Sequence, residues 1–396
     1  MQRSIIFLLS LAVLVVSYGC QAQPAAAPMM VEKQSFSFEN FTTVSGEVIP
    51  EVTVGWESYG ELNAAKDNVI LITHFFSGNS HAAGKYSPDD PLPGYWDSII
   101  GPGKAIDTNK YFVISSDTLV NAFPNDPNVI TTGPASINPE TGKPYGLDFP
   151  VVTIRDFVEV QHELLTSLGI HKLHAVVGAS MGSLQALEWS VAYPDMVERM
   201  ISVIGAGAMD AWTIMALEHW ARPIRHDPNW NNGDYYDAEP PLTGVTSTLA
   251  MITQQAMHPV IMNMRAPKPE VMSEQALASV TNSTPVLDYL FANSRVRAPL
   301  ADGNHLLYLV RANQLFVAGH EGDLATGLAK VKAKTLFLPA TNDLLLQPYL
   351  AKRAVAELEK QGKQPAYAEI EGIWGHLDGL FSIPSQADTI EDFLAH

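Results

Sequence analysis

The chain is 396 residues long, 46% hydrophobic and 17% charged, which suffices to bury a large core and excludes a disordered chain. Its formal net charge of −18 argues against nucleic acid and anionic lipid as partners, since an acidic surface repels both. The length admits two or three domains, or one large α/β unit carrying an insertion.

The amino terminus reads as a targeting segment. Arg3 precedes an apolar run from Ile5 to Val16, too short to span a bilayer and suited to a signal-peptide core. The Pro/Ala-rich stretch after it fits a cleavage region and tether. Residues 1–30 are therefore set apart from the fold, and the protein is expected to be exported, as a periplasmic or secreted product. The single cysteine, Cys20, leaves two readings open. Acylation of Cys20 would make a lipoprotein and provide the sole membrane contact. Cleavage after Ala22 would release a soluble enzyme. Either way, the mature fold has no disulfide and no thiol nucleophile.

From residue 31 apolar runs alternate with helical patterns. "NVILITHFF" (68–76) and "KYFVISSD" (110–117) predict strands buried on both faces. "VTIRDFVEVQHELLTSLGI" (152–170) predicts a helix ended by Gly169. "KLHAVVGAS" (172–180) runs strand into turn, "LQALEWSVAYP" (184–194) is a helix, and "RMISVIGAG" (199–207) a strand. "AKTLFLPAT" (333–341) and "AYAEIEG" (366–372) are further strands, with a helix from 348 to 361 between them. This alternation implies an α/β fold with a mostly parallel sheet covered by helices on both faces. Residues 209–325 break it, being helical or irregular and rich in Met, Trp, Pro and Asn. They are read as a helical lid over the carboxyl edge of the sheet, splitting the core into 31–208 and 326–396.

Gly178-Ala179-Ser180-Met181-Gly182 is a G-x-S-x-G pattern between a strand and a helix. Such a sharp turn pushes a serine hydroxyl out above the sheet, and the flanking glycines avoid clashes within it. Alone the pattern is weak; its strand-turn-helix context makes Ser180 the candidate nucleophile of an α/β-hydrolase fold. A serine nucleophile needs a base and an orienting acid, which on this fold follow later strands in the order Asp, His. Asp343 follows "TLFLPAT" and His376 follows "AYAEI" in the loop "EGIWGH". Asp210, at the mouth of the lid, is the fallback acid. His305 and His320 read as packing or polar lid residues, and Asp378 as a solvated loop residue. The oxyanion donors are expected to be the backbone N–H of Met181 and that of Phe76, with Phe75 the alternative; the Phe76 ring is a candidate for the acyl pocket. His74 and His81 lack metal-ligand partners at suitable spacing, and no phosphate-binding or dinucleotide motif occurs, so no cofactor or metal is expected.

These residues sit in segments with a family likeness: "HFFSGNSHAAG", "GYWDSIIGPGKAIDTNKYFVISSD", "TTGPASINPETGKPYGLDFPVVTIRDFV", "GASMGSLQALEWSVAYPD", "DPNWNNGDYYDAEPP" and "GHLDGLF". In this order, from about 70 to 380, the chain resembles the homoserine O-acetyltransferase family of α/β-hydrolases. The resemblance implies a core sheet with a helical lid, dimerisation through the lid, catalytic residues at Ser180, Asp343 and His376, and oxyanion donors at Phe76 and Met181. It also implies two departures. The family's lid arginine, which holds the substrate carboxylate, falls on Leu249 in "PPLTGVTSTL". The family's aspartate after the catalytic histidine, which holds the amino group, falls on Leu377. Both clamps for a zwitterion are thus replaced by leucine, and burying an unpaired zwitterion costs several kcal/mol. An exported enzyme, moreover, meets water rather than acetyl-CoA. The favoured reading is hydrolysis of small carboxylic esters. The alternative is O-acetyl transfer from acetyl-CoA, as cosubstrate, to a hydroxyl acceptor of homoserine type. A third reading is a non-catalytic binding protein on the same scaffold.

Overall fold

The computed structural model describes residues 28–269 and 273–396. The expected signal segment, Cys20 and Ala22 lie outside these residues. Among the described residues no helix is long and apolar enough to cross a membrane.

Eight strands form the central sheet: β1 (Gln34–Thr42), β2 (Val48–Tyr59), β3 (Val69–Thr73), β4 (Phe112–Ser116), β5 (Ala175–Ala179), β6 (Arg199–Val203), β7 (Lys334–Leu338) and β8 (Ala366–Tyr367). Their order is β1-β2-β4-β3-β5-β6-β7-β8. From β4 to β8 all neighbours are parallel, and β2 alone runs against them. The mostly parallel α/β reading holds.

Successive residues of β3 feed opposite cores: Leu71 packs on one side of the sheet, Ile70 and Ile72 on the other. A strand buried on both faces needs this continuous apolar run, and each such side chain contributes roughly 1.5–3 kcal/mol when fully buried. One face is covered by α1 (Ile154–Ser167) and α2 (Met181–Ala192). Helix α1 starts at a capping box: the Thr153 side chain accepts from the Asp156 N–H while Asp156 accepts from the Thr153 N–H.

The β1–β2 hairpin was not among the predicted elements. Its turn closes at Gly46, whose φ of 87° suits glycine. The Val44 N–H donates to the buried Asp156 carboxylate at 2.7 Å, which fastens this turn to α1.

Between β6 and β7 the described residues form seven α-helices: α3 (Ala211–Arg225), α4 (Leu242–Ala256), α5 (Pro259–Arg265), α6 (Glu274–Ala278), α7 (Pro285–Arg297), α8 (Gly303–Gln314) and α9 (Leu324–Ala329). The chain leaves the sheet and returns side by side. Ala318 donates to the Gly207 carbonyl at 3.0 Å and Met209 to that of Phe316 at 3.0 Å, around an antiparallel bridge of Ala208 with Val317. Helix α10 (Pro348–Lys360), against which α9 packs, then α11 (Asp378–Phe381) and α12 (Ala387–Ala395), complete the chain.

Candidate active site

Ser180 occupies the turn between β5 and α2 with φ 56° and ψ −122°, a conformation that L residues rarely adopt. Strain of this kind costs about 1–3 kcal/mol and persists only where packing imposes it. Here the packing is severe. A Cβ on Gly178 would lie 2.1 Å from the Gly182 carbonyl oxygen, and one on Gly182 would lie 2.0 Å from that of Thr73. Thr73 Oγ1 donates to the Gly182 carbonyl at 2.7 Å, locking β3 to the elbow. The Ser180 N–H donates to Val203 O at 2.9 Å and closes the turn onto β6.

His376 and Asp343 arrive from loops after β8 and β7. His376 Nε2 lies 2.7 Å from Ser180 Oγ and its Nδ1 lies 2.6 Å from Asp343 Oδ2. Asp343 Oδ1 accepts the N–H groups of Leu345 at 2.8 Å and Leu346 at 3.0 Å, so the acid is held by its own loop. Nucleophile, base and orienting acid thus form one chain of hydrogen bonds, the geometry for deprotonating a serine as it attacks an acyl carbon. Asp210, the fallback acid, is otherwise engaged: it caps α3 through Thr213 and accepts from the Tyr349 hydroxyl.

Asp378 corrects the reading of a solvated loop residue, being fully buried. It accepts from the N–H groups of Trp374 at 3.2 Å and Gly375 at 3.0 Å and from Ser382 Oγ at 2.5 Å. A carboxylate so surrounded by donors is stable without water, and it braces the loop that carries His376. His305 is a packing residue: it is buried, with Nδ1 2.8 Å from Asn121 O and Nε2 accepting from the Ala135 N–H. His320 lies partly exposed near Glu188.

The N–H groups of Phe76, Phe75 and Met181 make no hydrogen bond among the described residues, so both candidate pairs keep donors for an oxyanion. The loop bearing Phe76 is anchored at both ends. His74 is buried, with Nδ1 2.8 Å from Phe75 O, and its Nε2 accepts from the Thr118 N–H at 3.2 Å. Burial lowers its pKa and keeps it neutral, as accepting at Nε2 requires. Further on, the Ser80 N–H donates to buried Asp117 at 2.7 Å. Lys33 bridges Asp117 at 3.3 Å and buried Glu57 at 3.2 Å, and Glu57 also pairs with His81 at 3.1 Å. His81 is thus part of an ion network, and no cluster of metal-ligating residues occurs among the described residues.

A chamber of ≈ 70 Å³ lies at Ser180 Oγ. Phe76, Trp220, Ile252, Ala256, Leu345 and Leu377 line it, and no Lys, Arg, Asp or Glu is among the lining residues. The Phe76 ring packs edge-on against Trp220 at 5.3 Å. Leu249 sits one turn before Ile252 on α4, 1% exposed within the core, and is not part of this wall. Sequence reasoning missed Ile252 and Ala256, although their spacing of three and then four from Leu249 sets all three on one helical face. Trp220 and Leu345 carried no signal in the sequence.

Residues 92–380 match the family model described as the alpha/beta hydrolase fold. A homoserine O-acetyltransferase of Deferribacter desulfuricans is 38% identical over 368 residues, 92% of this chain and 93% of that protein. One from Methanococcoides burtonii is 37% identical over 364 residues, 90% of this chain and 73% of that protein. Among solved structures, esterase E22 is 57% identical with a TM-score of 0.90, covering 92% of this chain and 100% of that one. The homoserine O-acetyltransferase from Bacillus anthracis is 39% identical with a TM-score of 0.89, covering 93% and 98%.

Proposed function

The chain belongs to the homoserine O-acetyltransferase family of α/β-hydrolase-fold enzymes, and from that premise we propose that it hydrolyses small carboxylic esters with Ser180 as nucleophile, His376 as base and Asp343 as orienting acid. The observation that carries this reading is the chamber wall, where no charged side chain stands ready to hold a zwitterion and Leu377 follows the catalytic histidine. Esterase E22, alike over the whole of its length, adds support.

In this mechanism His376 Nε2 takes the Ser180 proton as Oγ bonds to the acyl carbon. The carbonyl π pair moves to oxygen, where the N–H groups of Met181 and Phe76 receive it. The intermediate collapses by breaking the bond to the alcohol oxygen, and the alcohol leaves with the proton from His376. Water then repeats the attack on the acyl-serine, gives its proton to His376, and the carboxylic acid departs as Ser180 regains its hydrogen. Asp343 holds the imidazole tautomer and stabilises the imidazolium in both halves.

A second reading, O-acetyl transfer from acetyl-CoA to a homoserine-type hydroxyl, has the broader backing among relatives, since those named above are mostly acetyltransferases. The chemistry up to the acyl-serine is shared; the acceptor differs. At Leu377, the one of the two clamp positions that lines the chamber, the missing charge is worth roughly 3–5 kcal/mol in a buried site, or on the order of 10²–10³-fold in rate. The test is acetyl transfer from acetyl-CoA to L-homoserine run beside hydrolysis of short nitrophenyl esters. Ser180-dependent hydrolysis far exceeding transfer is expected. Transfer that equals or outruns hydrolysis would return the protein to the acetyltransferases. The amino-terminal stretch supports export, which a reporter fused to residues 1–30 would test; fatty-acid labelling that depends on Cys20 would separate the lipoprotein from the soluble form.

A further inference from the structure

Beside the ≈ 70 Å³ chamber opens a groove of ≈ 610 Å³, between α3, the end of α4, α5 and the loop at 344–345. The two adjoin. Leu345 lines both, Ala216 of the groove lies one turn from Trp220 of the chamber, and Ala256 of the chamber sits between Gln255 and Met257 of the groove.

The groove is largely apolar. Trp212, Met215, Met262 and Leu344 supply much of its wall, polar groups come from amides and His219, and no Lys, Arg, Asp or Glu lines it. Trp212 is 61% exposed, Met215 56% and Leu344 49%. A concave apolar surface with a few polar groups, opening onto a nucleophile, is the form of a ligand site.

Resting on the esterase reading, we propose that this groove binds an uncharged, apolar alcohol arm of the ester, while a short acyl group fills the chamber. An ester has two arms, and the chamber beside the oxyanion donors has room for a group of only ~2–4 heavy atoms. The second arm must pass Leu345 into the groove. Its chemistry follows from the wall: a phosphate-bearing carrier such as coenzyme A would meet no lysine or arginine there, whereas an alkyl or aryl alcohol would bury its surface on Trp212, Met215 and Met262. The substrate class is therefore short-acyl esters of larger apolar alcohols.

Two measurements test this. The first is kcat/KM over acetate esters of lengthening primary alcohols, set against ethyl esters of lengthening acids. With the acyl group fixed, the rate constant should climb by up to about fourfold per added methylene until the groove is filled. With the alcohol fixed, it should fall once the acyl group outgrows the chamber. Met215→Glu, at an exposed position, should flatten the climb with alcohol length. A climb with acyl length instead, or no dependence on alcohol length, overturns the proposal. The second measurement is calorimetric titration of 1-octanol into the Ser180→Ala protein, with and without Met215→Glu. Binding that weakens at least tenfold in the double variant is expected. It reads the groove even if homoserine acetylation displaces the esterase assignment. Absence of 1-octanol binding overturns the groove assignment whatever the reaction, and if Trp212→Glu then converts a dimer to monomers, the groove is an interface between copies.

Discussion

Glu57→Gln measures how much the ion network behind the Phe76 loop contributes to stability. Burial pushes the Glu57 carboxyl up, but the hydrogen bond with His81, the Lys33 ammonium and the Tyr86 hydroxyl outweigh it, and the pKa falls from 4.5 to about 2. A carboxyl depressed on folding contributes stability in full above its unfolded pKa and loses it as the pH falls through the folded one. The gap between 4.5 and about 2 corresponds to about 3 kcal/mol. Of that, about 2 kcal/mol should be gone by pH 3. The assay is urea denaturation of the wild type and Glu57→Gln at a series of pH values from neutral to pH 3. The variant carries every other titrating carboxyl, so subtracting its stability isolates this one. The wild-type advantage should hold level down to about pH 4.5 and then shrink. An advantage that stays level to pH 3 would mean that Lys33 and His81 do not hold Glu57 ionised, and the reasoning would fail.

Asp343→Asn should lower kcat by about 10⁴-fold through misorientation of the imidazole; near-full activity would instead make Asp210 the working acid. Asp378→Ala removes the acceptor of two N–H groups and a hydroxyl, and should cost on the order of 3 kcal/mol in urea denaturation together with a fall in kcat. Leu377→Asp places a carboxylate in an apolar chamber and should cut hydrolysis of apolar short esters by at least about tenfold, with unchanged rates counting against Leu377 as a lining residue. Adding Leu249→Arg buries a guanidinium at a position only 1% exposed, so the double variant should unfold at lower denaturant than Leu377→Asp alone.

The elbow was legible because its chemistry is local: a strand, two glycines and a helix in adjacent residues leave little choice for Ser180. Asp343 and His376 could be read because each follows a strand, and the loops at the carboxyl ends of parallel strands converge. The β1–β2 hairpin was overlooked since it lies at the sheet edge. Phe36 and Phe38 alternate with exposed residues, a half-buried pattern unlike the continuous runs of the central strands. Asp378 defeated sequence reasoning for a different reason: its donors are two backbone groups of its own loop and the Ser382 hydroxyl, and an acid satisfied so locally looks the same in sequence as one facing water. The chamber wall from the inserted helices was hidden because which face of α4 meets Ser180 depends on how two helices cross.

The neck at Gly207–Met209 and Phe316–Ala318 has an evolutionary consequence. The inserted helices are joined to the sheet by two neighbouring backbone segments that pair through an antiparallel bridge. Ser180, Asp343 and His376 all lie on the sheet side of that joint, while Trp220, Ile252 and Ala256 reach the chamber from beyond it, where Met257 also bridges to Gly375 beside the histidine. Drift in the inserted helices that spares the Met257–Gly375 contact can therefore alter what is bound while leaving Ser180, Asp343 and His376 in place. In such an architecture, lineages are expected to diverge in substrate faster than in reaction chemistry.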